Sequence, residues 1–149
     1  MGSPPATDVA WLGLGSNLGH RGRNLARLRT ELQARGLVIE AASSEILTRP
    51  VGPQRQPDFH NQVLRARAAV PLTPRQWLRI AKEAEVAAGR RETYRFGPRV
   101  ADVDILFLGR DAEIRVAEPD LTVPHPRMHE RPFLARLLRE IGMEMDSSA

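Results

Sequence analysis

The sequence contains no cysteine and, among its 22 basic residues, a single lysine, Lys82. The absence of cysteine excludes disulfide bonds and thiol chemistry. It also fits a reducing compartment, and we expect a cytoplasmic location. No run of 18 apolar residues occurs, so a transmembrane helix is not expected. The first residues lack the basic start and apolar core of a signal peptide, so no secretory signal is expected either.

Length and charge narrow the class of protein. A chain of 149 residues predicts one domain with a real core, spanning residues 1–149, with residues 1–8 and 143–149 as disordered tails. The formal charge of +4 and the pI of about 10.8 come almost entirely from arginine. This favours anionic partners, either nucleic acid or phosphorylated small molecules. The alternative is that much of the arginine only covers solvated faces.

Hydrophobic periodicity and turn residues predict alternating strands and helices. We predict strands over residues 9–14, 37–42, 60–70 and 100–108, and helices that end near Gly36, Gly89 and Gly142. We also predict a turn over 15–19, a long loop over 43–59 and a mobile loop over 89–99. A hairpin is expected to return through residues 113–116. Thr73 with Gln76 forms a capping box, and Pro74 occupies the first helical position. Residues 60–70 alternate, with Leu64 and Val70 on the predicted buried face and the other face wet. Interleaved elements with short connections predict an α+β domain with a mostly antiparallel sheet.

Two aspartates interrupt the most apolar segment of the chain, residues 100–108. Asp102 and Asp104 stand two positions apart in a predicted strand. Residues at that spacing point to the same face, with Cα atoms about 6.5–7 Å apart. Two such carboxylates can bind one metal ion, or two ions about 3.5–4 Å apart. Without a cation they would repel, and one would take up a proton.

Two interpretations of this pair stay open from the residues alone. A half-exposed strand can carry two acids by chance, because short motifs match freely. Against this, Arg95 and Arg99 flank a Gly-Pro turn just before the acids. Arginines beside metal-binding carboxylates suit a metal-bound polyphosphate, since guanidinium groups bind phosphate oxygens bidentately.

Four segments carry a resemblance to a known family. They are Gly13-Leu14-Gly15-Ser16-Asn17-Leu18; Thr48-x-Pro50-Val51-Gly52 with Pro57-Asp58-Phe59-x-Asn61; Arg95-Phe96-Gly97-Pro98-Arg99 running into Asp102-x-Asp104; and Leu121-Thr122-Val123-Pro124-His125-Pro126 with Arg131 and Phe133. From about residue 9 to residue 141 the chain resembles the 6-hydroxymethyl-7,8-dihydropterin pyrophosphokinases of folate biosynthesis. The resemblance implies a ferredoxin-like, three-layer αβα fold.

The same resemblance implies a reaction. The terminal pyrophosphoryl group of ATP moves to the hydroxymethyl group of the dihydropterin, and AMP is released. ATP is then a co-substrate, and two Mg²⁺ ions held by Asp102 and Asp104 bridge its phosphates. No residue stands out as a general base, so positioning and charge neutralisation are expected to carry most of the rate. We expect a monomer that binds these small molecules and neither nucleic acid nor a membrane.

Site residues follow from the resemblance position by position. The expected catalytic group is Arg90, Arg99, Asp102 and Asp104. The nucleotide is expected near Glu85, Arg90, Arg99, Ile105, Thr122, His125 and Arg131. The pterin is expected between Phe59 and Phe133, with Asn61 at its polar edge and backbone groups around Thr48 and Val51 completing the pocket. Without the resemblance, other interpretations stay open for three of these residues. Helical spacing predicts that the Glu85 side chain is solvated, and Phe133 could belong to the core as the first residue of an amphipathic helix. His125, between two prolines, could simply form a hydrogen bond with the backbone.

The chain departs from the family pattern at Phe96, Glu92, Lys82 and Ile46, where tryptophan, arginine, glutamine and tyrosine are commoner. The changes at Phe96 and Glu92 put loop packing and one phosphate contact in doubt. Two other functions compete with this interpretation. A basic RNA-binding module would suit the pI, but such sheets stack bases on clustered aromatics, and aromatic residues are only 5% here. A pterin or nucleotide binder without catalysis is opposed only by the presence of both aspartates.

Overall fold

A computed structural model describes residues 4–17, 19–49, 58–90 and 100–144 of the chain. In order, the elements are β1 (Thr7–Ser16), α1 (Arg21–Ala34), β2 (Val38–Ala42), β3 (Ile46–Thr48), β4 (Phe59–Leu72), α2 (Pro74–Ala87), β5 (Asp102–Leu108), β6 (Val116–Glu118), β7 (Leu121–Val123) and α3 (Phe133–Glu140). A 3-10 turn, Met128–Glu130, precedes α3. Across the described ranges no helix has the length and apolar character needed to cross a membrane.

The main sheet is antiparallel and has five strands in the order β2-β4-β1-β5, with β3 also paired to β4. β1 therefore lies between β4 and β5 and pairs with both. Helix α1 connects β1 to β2 and α2 connects β4 to β5, so each helix joins two strands that are separated by a third. This is the ferredoxin-like arrangement of a split βαβ motif, and it confirms the predicted α+β fold. β6 and β7 form a separate two-stranded hairpin.

One face of the sheet is covered by α1 and α2. Their apolar stripes, Leu25, Leu28 and Leu32 on α1 and Trp77, Ala81 and Ala84 on α2, pack against the strand residues Leu12, Leu64, Val103 and Ile105. The periodicity that predicts these helices is thus the periodicity of their buried faces. The capping box at Thr73 is present, with the Gln76 backbone N–H donating to Thr73 Oγ1 and the Thr73 backbone N–H donating to Gln76 Oε1.

Among the described residues, helix α3 covers part of the other face of the sheet. Helix α3 packs there through Leu134, Leu137 and Leu138, against Val9, Trp11, Val63 and Leu106. Helices on both faces make the three-layer αβα arrangement. Asn61, Asp102 and Asp104 lie on the same face as α3. Asp104 is near the N-terminal end of that helix, because it accepts a hydrogen bond from Arg131, two residues before α3 begins. That end of the face is where the candidate site lies.

Several sequence predictions are wrong at this level. The face of β4 predicted to be solvent-exposed is partly buried, because Val63 lies fully buried beneath α3. Val70, predicted on the buried face, is instead 60% exposed near the end of the strand. The predicted loop over 43–59 contains the short strand β3, which pairs with β4. Strand β1 continues to Ser16, so Gly15 belongs to the strand and not to the following turn.

The predicted tails and hairpin also need correction. Thr7 and Asp8 belong to β1, and the Met143 N–H donates to Leu138 O while its side chain packs near α3. The chain does reverse after β5, but only one bridge, Leu108 to Ile114, pairs the returning segment with it. The regular hairpin lies further on, between β6 and β7.

Candidate active site

Asp102 and Asp104 project from β5 on the face that carries α3. Val103 and Ile105, the alternate residues, are buried on the opposite face beneath α1 and α2. The side chains of Asp102 and Asp104 are 14% and 23% exposed, so both carboxylates are accessible from the open end of the face. The predicted common orientation of the pair is confirmed.

Arg90, just after α2, connects Asp102 to Glu85. Its Nη1 donates to Asp102 Oδ1 at 2.7 Å and lies 3.0 Å from Glu85 Oε2. Burial alone would lower the pKa of Arg90, but the carboxylates of Asp102 and Glu85 outweigh this and raise it. The Arg90 guanidinium therefore stays charged and forms ion pairs with both Asp102, at the site, and the buried Glu85 behind it.

Glu85 is a buried acid and not a solvated one, so the expectation from helical spacing is wrong. Its side chain is 2% exposed. Oε2 accepts a hydrogen bond of 2.7 Å from the backbone N–H of Val103, the residue between the two aspartates. Burial raises the pKa of Glu85 to about 7, with Asp102 adding to the rise, while the Val103 hydrogen bond and Arg90 oppose it. Glu85 thus fixes β5 from behind the site.

Two side chains approach Asp104 from the segment before α3. Arg131 Nη1 donates to Asp104 Oδ2 at 2.8 Å, in an ion pair whose side chains are about a quarter exposed. His125 Nε2 lies 3.8 Å from Asp104 Oδ1, too far for a hydrogen bond. The segment itself is tied to β5, because the His125 N–H donates to Leu106 O.

The imidazole of His125 is held in one orientation by its own backbone. Its Nδ1 accepts a hydrogen bond of 3.2 Å from the Arg127 N–H, so the expectation that it bonds backbone is confirmed for this nitrogen. Burial lowers the pKa of His125, and Arg131 and Arg127 lower it further against the pull of Asp104 and Asp102. A neutral imidazole with Nδ1 accepting carries its proton on Nε2, so His125 presents an N–H donor towards Asp104.

Across β1 from the aspartates, β4 presents Phe59 and Asn61. Asn61 Nδ2 donates to Thr48 Oγ1 at 2.6 Å and to Phe59 O at 3.2 Å. The amide is thereby held by β3 and by its own strand. Phe59 is half-buried at the start of β4. These three expected pterin-binding residues are brought together by the pairing of β3 with β4.

The remaining expected residues are distributed unevenly. Phe133 opens α3 two residues after Arg131 and packs partly against the cluster beneath that helix, so its ring is half-buried and not fully in the core. Ile105 is buried under α1 and α2, which leaves its backbone as the part that can meet a ligand. Thr122 is exposed on β7. Arg99 and Val51, together with Phe96 and Glu92, lie outside the described residues.

One feature of the site escapes the sequence prediction. The predicted turn includes Gly15, yet this residue lies in β1 between Asn61 and Asp102, with which it pairs in register. Gly13 lies two residues earlier on the same strand. The available signal is the spacing of two glycines by two in a segment that otherwise predicts a strand, which marks a place where another group approaches the backbone closely.

The donor set at the site fits magnesium bound together with a phosphate ligand. Across the described ranges, no group of three or more His, Asp or Glu residues is arranged to hold a metal ion. Mg²⁺ in phosphate-transferring sites is bound by one or two carboxylates, with substrate oxygens and waters completing the octahedron. Asp102 and Asp104 provide such a pair, beside arginines suited to phosphate.

Comparison with known proteins identifies the relatives of this chain. The family model of 7,8-dihydro-6-hydroxymethylpterin-pyrophosphokinase matches residues 11–143. A 2-amino-4-hydroxy-6-hydroxymethyldihydropteridine pyrophosphokinase of Bacillus subtilis is 34% identical over 143 residues, covering 95% of this chain and 83% of the relative. A protein of the same name from Mycobacterium tuberculosis is 41% identical over 129 residues, which cover 83% of this chain and 66% of that relative. The mitochondrial folate synthesis bifunctional protein of Pisum sativum is 37% identical over 137 residues, covering 91% of this chain and 26% of that protein.

Proposed function

The chain belongs to the 7,8-dihydro-6-hydroxymethylpterin-pyrophosphokinase family, and we propose that the open end of its sheet, around Asp102 and Asp104, is the active site of that activity. The enzyme is a pyrophosphokinase that acts on hydroxymethyldihydropterin in folate biosynthesis. ATP is the proposed donor, and AMP the product that leaves. Family membership favours this activity over the RNA-binding module.

The observation that carries this assignment is the pairing of each aspartate with a separate arginine. Arg90 donates to Asp102 and Arg131 donates to Asp104, at 2.7 and 2.8 Å. The two carboxylates thus lie side by side on β5, and each has one arginine beside it. A metal-bound polyphosphate suits this arrangement, because metal ions take carboxylates and guanidiniums take phosphate oxygens.

Asp102 and Asp104 would hold the two proposed Mg²⁺ ions, which would supply neutralisation of the phosphate charge when bound. The protein's own contribution is orientation. Glu85 fixes the peptide between the aspartates through the Val103 N–H, and His125 presents its Nε2 proton towards the same opening. Arg131 and Arg90 are then available to phosphate oxygens. Arg99 is proposed as a further phosphate contact, and Thr122 and the Ile105 backbone as nucleotide contacts.

The acceptor side is proposed to lie across β1, at Phe59, Asn61 and Phe133. The rings of Phe59 and Phe133 stand on β4 and at the start of α3, on the same face of the sheet. Flat heterocycles are held well between such rings, because stacking adds to the burial of apolar area. Asn61 is oriented by its hydrogen bond to Thr48 and would hydrogen-bond to the polar edge of the pterin. Backbone groups near Val51 are proposed to complete the pocket.

In the proposed step, the hydroxymethyl oxygen of the pterin attacks the β-phosphorus of ATP. A new O–P bond forms to the β-phosphorus. The bond from the β-phosphorus to the oxygen that bridges it to the α-phosphorus breaks, and AMP leaves with that oxygen. The hydroxyl proton passes to solvent or to a phosphate oxygen. Holding the two reactants in line replaces a bimolecular encounter, which accounts for much of the rate without a dedicated base.

The test is to measure the nucleotide product. Purified protein with ATP and Mg²⁺ should release AMP only when the hydroxymethyl-dihydropterin is present. Asp104→Asn, which keeps the shape of the side chain and removes its charge, should abolish this. Asp111→Asn, in the exposed turn after β5, is the matched control and should be as active as the wild type.

The other outcomes distinguish the alternatives. ADP in place of AMP would mean ordinary phosphoryl transfer. Pterin binding without turnover would mean a binder that lacks the chemistry. Equal turnover by Asp104→Asn and the wild type would remove Asp104 from the site. A monomeric state, cytoplasmic location and the extent of the single domain stay predictions.

A further inference from the structure

The central strand has no side chain where the two halves of the candidate site meet. β1 runs between β4, which carries Asn61, and β5, which carries both aspartates. Gly15 pairs with Asn61 on one side and Asp102 on the other, and Gly13 pairs with Val63 and Asp104. Since paired residues of adjacent strands share a face, both glycines lie on the face of the sheet that carries Asn61 and the two aspartates.

The two glycines differ in what surrounds them. A Cβ at Gly13 would lie 3.4 Å from the side chain of Leu106, which is fully buried under α3. The space over Gly13 is therefore filled by the protein itself. A Cβ at Gly15 would instead lie 3.5 Å from Asn61 Oδ1 and 3.5 Å from Phe59 Cδ1. These are two of the residues proposed to bind the pterin.

Backbone conformation does not require glycine at position 15. The residue is in a regular strand, and its φ is outside the left-handed region that favours glycine. Contacts of 3.5 Å are ordinary van der Waals distances, so the part of the chain that the structure describes can accommodate a methyl group here. Nothing in that part of the chain requires glycine at position 15, which points to a group that approaches the backbone from the face that carries Asn61 and Asp102.

The amide of Asn61 indicates what approaches. Its nitrogen is committed to Thr48 Oγ1 and Phe59 O, so its carbonyl oxygen Oδ1 is the end that borders Gly15. This oxygen accepts hydrogen bonds, and a heterocycle edge with N–H donors complements it. Such an edge, lying on Gly15, would be flanked by Asn61 and Phe59 on one side and by Asp102 on the other.

We propose that Gly15 is a specificity-determining position for the acceptor: the edge of the pterin lies directly on its backbone, so that a side chain there obstructs the pterin and leaves nucleotide binding intact. This inference rests on the proposed function. Gly15 makes the aromatic and amide side of the site continuous with the aspartate side. A methyl group at this position would lift the ring from Asn61 and displace its hydroxymethyl group from the aspartates.

The experiment compares Gly15→Ala with Gly13→Ala, the same change two residues away on the same strand and face. Pterin affinity is measured by titration in the presence of Mg²⁺ and a non-hydrolysable ATP analogue, and affinity for the analogue is measured separately by calorimetry. We expect Gly15→Ala to weaken pterin binding by about tenfold or more, and Gly15→Val to weaken it further. Gly13→Ala should bind pterin within about twofold of the wild type, and all variants should bind the analogue normally.

Each result decides the question. Wild-type pterin affinity in Gly15→Ala would overturn the inference, as would equal losses in both alanine variants, or a loss of analogue binding that matches the loss of pterin binding. A Gly15→Ala protein that fails to fold would also overturn it, because the position would then lack the free space described. If the wild type forms no AMP with the pterin, the proposed function fails instead, whichever variant is tested.

Discussion

Arg90 Nη1 lies 2.7 Å from Asp102 Oδ1, which ties the residue that follows α2 to the first aspartate of β5. The same nitrogen lies 3.0 Å from Glu85 Oε2. The Arg90 guanidinium thus compensates the negative charge of the accessible Asp102 carboxylate and that of the buried Glu85 carboxylate behind it. The site is therefore coupled to the stability of the fold.

Removing Arg90 should destabilise the protein through Glu85. In Arg90→Met the 2%-exposed Glu85 carboxylate loses its nearest cation. We expect the free energy of unfolding to fall by about 1–3 kcal/mol, since removing one partner of a buried pair leaves an uncompensated charge. Urea denaturation measures this at about pH 8 to 9, above the pKa of about 7 of Glu85, where the carboxylate is ionised in the wild type. Arg139→Met, which removes an exposed arginine, is the control and should change stability by less than about 0.5 kcal/mol.

The double variant Arg90→Met/Glu85→Gln tests the cause. The amide that Glu85→Gln introduces carries no charge, so the loss caused by Arg90→Met should be smaller in that background, giving a positive coupling between the two sites. Additive effects of the two changes would show that Arg90 stabilises the protein through Asp102 or packing alone.

Stability should depend on pH through Glu85. Its pKa is raised from 4.5 to about 7 in the folded protein, so the folded state binds more protons than the unfolded state between these values. The resulting stabilisation is complete below pH 4.5 and is lost as pH rises through about 7. A shift of this size corresponds to about 3 kcal/mol. In metal-free buffer, the free energy of unfolding of the wild type relative to Glu85→Gln should fall by that order between about pH 4 and pH 8.

The comparison with Glu85→Gln matters because other carboxyls titrate in the opposite sense. Glu40, Asp120, Glu130 and Glu140 have lowered pKa values, and their contributions decrease as pH falls. These groups are present in both proteins and cancel in the difference. A difference that does not vary with pH would mean that Glu85 has the same pKa in the folded and in the unfolded protein.

Loss of Arg131 should weaken nucleotide binding. Arg131→Met removes the cation paired with Asp104 at 2.8 Å and a proposed phosphate contact. Because charge-assisted hydrogen bonds contribute about 1.5–3 kcal/mol, we expect affinity for an ATP analogue with Mg²⁺ to fall about 10- to 100-fold by calorimetry. Arg136→Met, on the exposed side of α3, should bind as the wild type does. Unchanged affinity in Arg131→Met would restrict Arg131 to a structural pairing with Asp104.

Phe133 should matter more for the pterin than for the fold. Phe133→Leu keeps an apolar side chain against the cluster under α3, so stability should fall by less than about 1.5 kcal/mol. The loss of a flat ring should weaken pterin binding by about tenfold, since stacking contributes about 0.5–1.5 kcal/mol beyond burial. Phe107→Leu, in β5 and packed near the same cluster, is the control for apolar packing. If Phe107→Leu weakens pterin binding equally, the effect belongs to packing and not to the ring.

Local patterns explain which elements can be predicted from the sequence. The Thr73–Gln76 capping box and the leucine stripe of α1 depend on residues within one or two turns of each other, so they are visible in the chain itself. Strand β3 escapes prediction because three residues contain no periodicity, and it forms through its pairing with β4. Val70 is predicted on the buried face because the alternation of β4 continues beyond the end of the covered sheet.

Glu85 illustrates the limit most clearly. Its helical position lies at the edge of the apolar stripe, and an acid there is ordinarily solvated. It is buried because β5 lies against that side of α2 and provides the Val103 N–H as a donor, and because Arg90 follows the helix closely enough to compensate its charge. Neither partner can be inferred from the helix sequence.

Residue patterns are enough to predict the helices α1, α2 and α3, the strands β1, β2, β4 and β5, the shared face of Asp102 and Asp104 and, through the resemblance, the family. All of these depend on residue spacing or on motifs within short segments. Only the tertiary structure decided that Arg90 meets Asp102, that Arg131 meets Asp104, and that Gly15 separates Asn61 from Asp102. These contacts join residues that are distant in the chain, and they follow from strand order and register, which are set by how the whole chain buries its apolar faces.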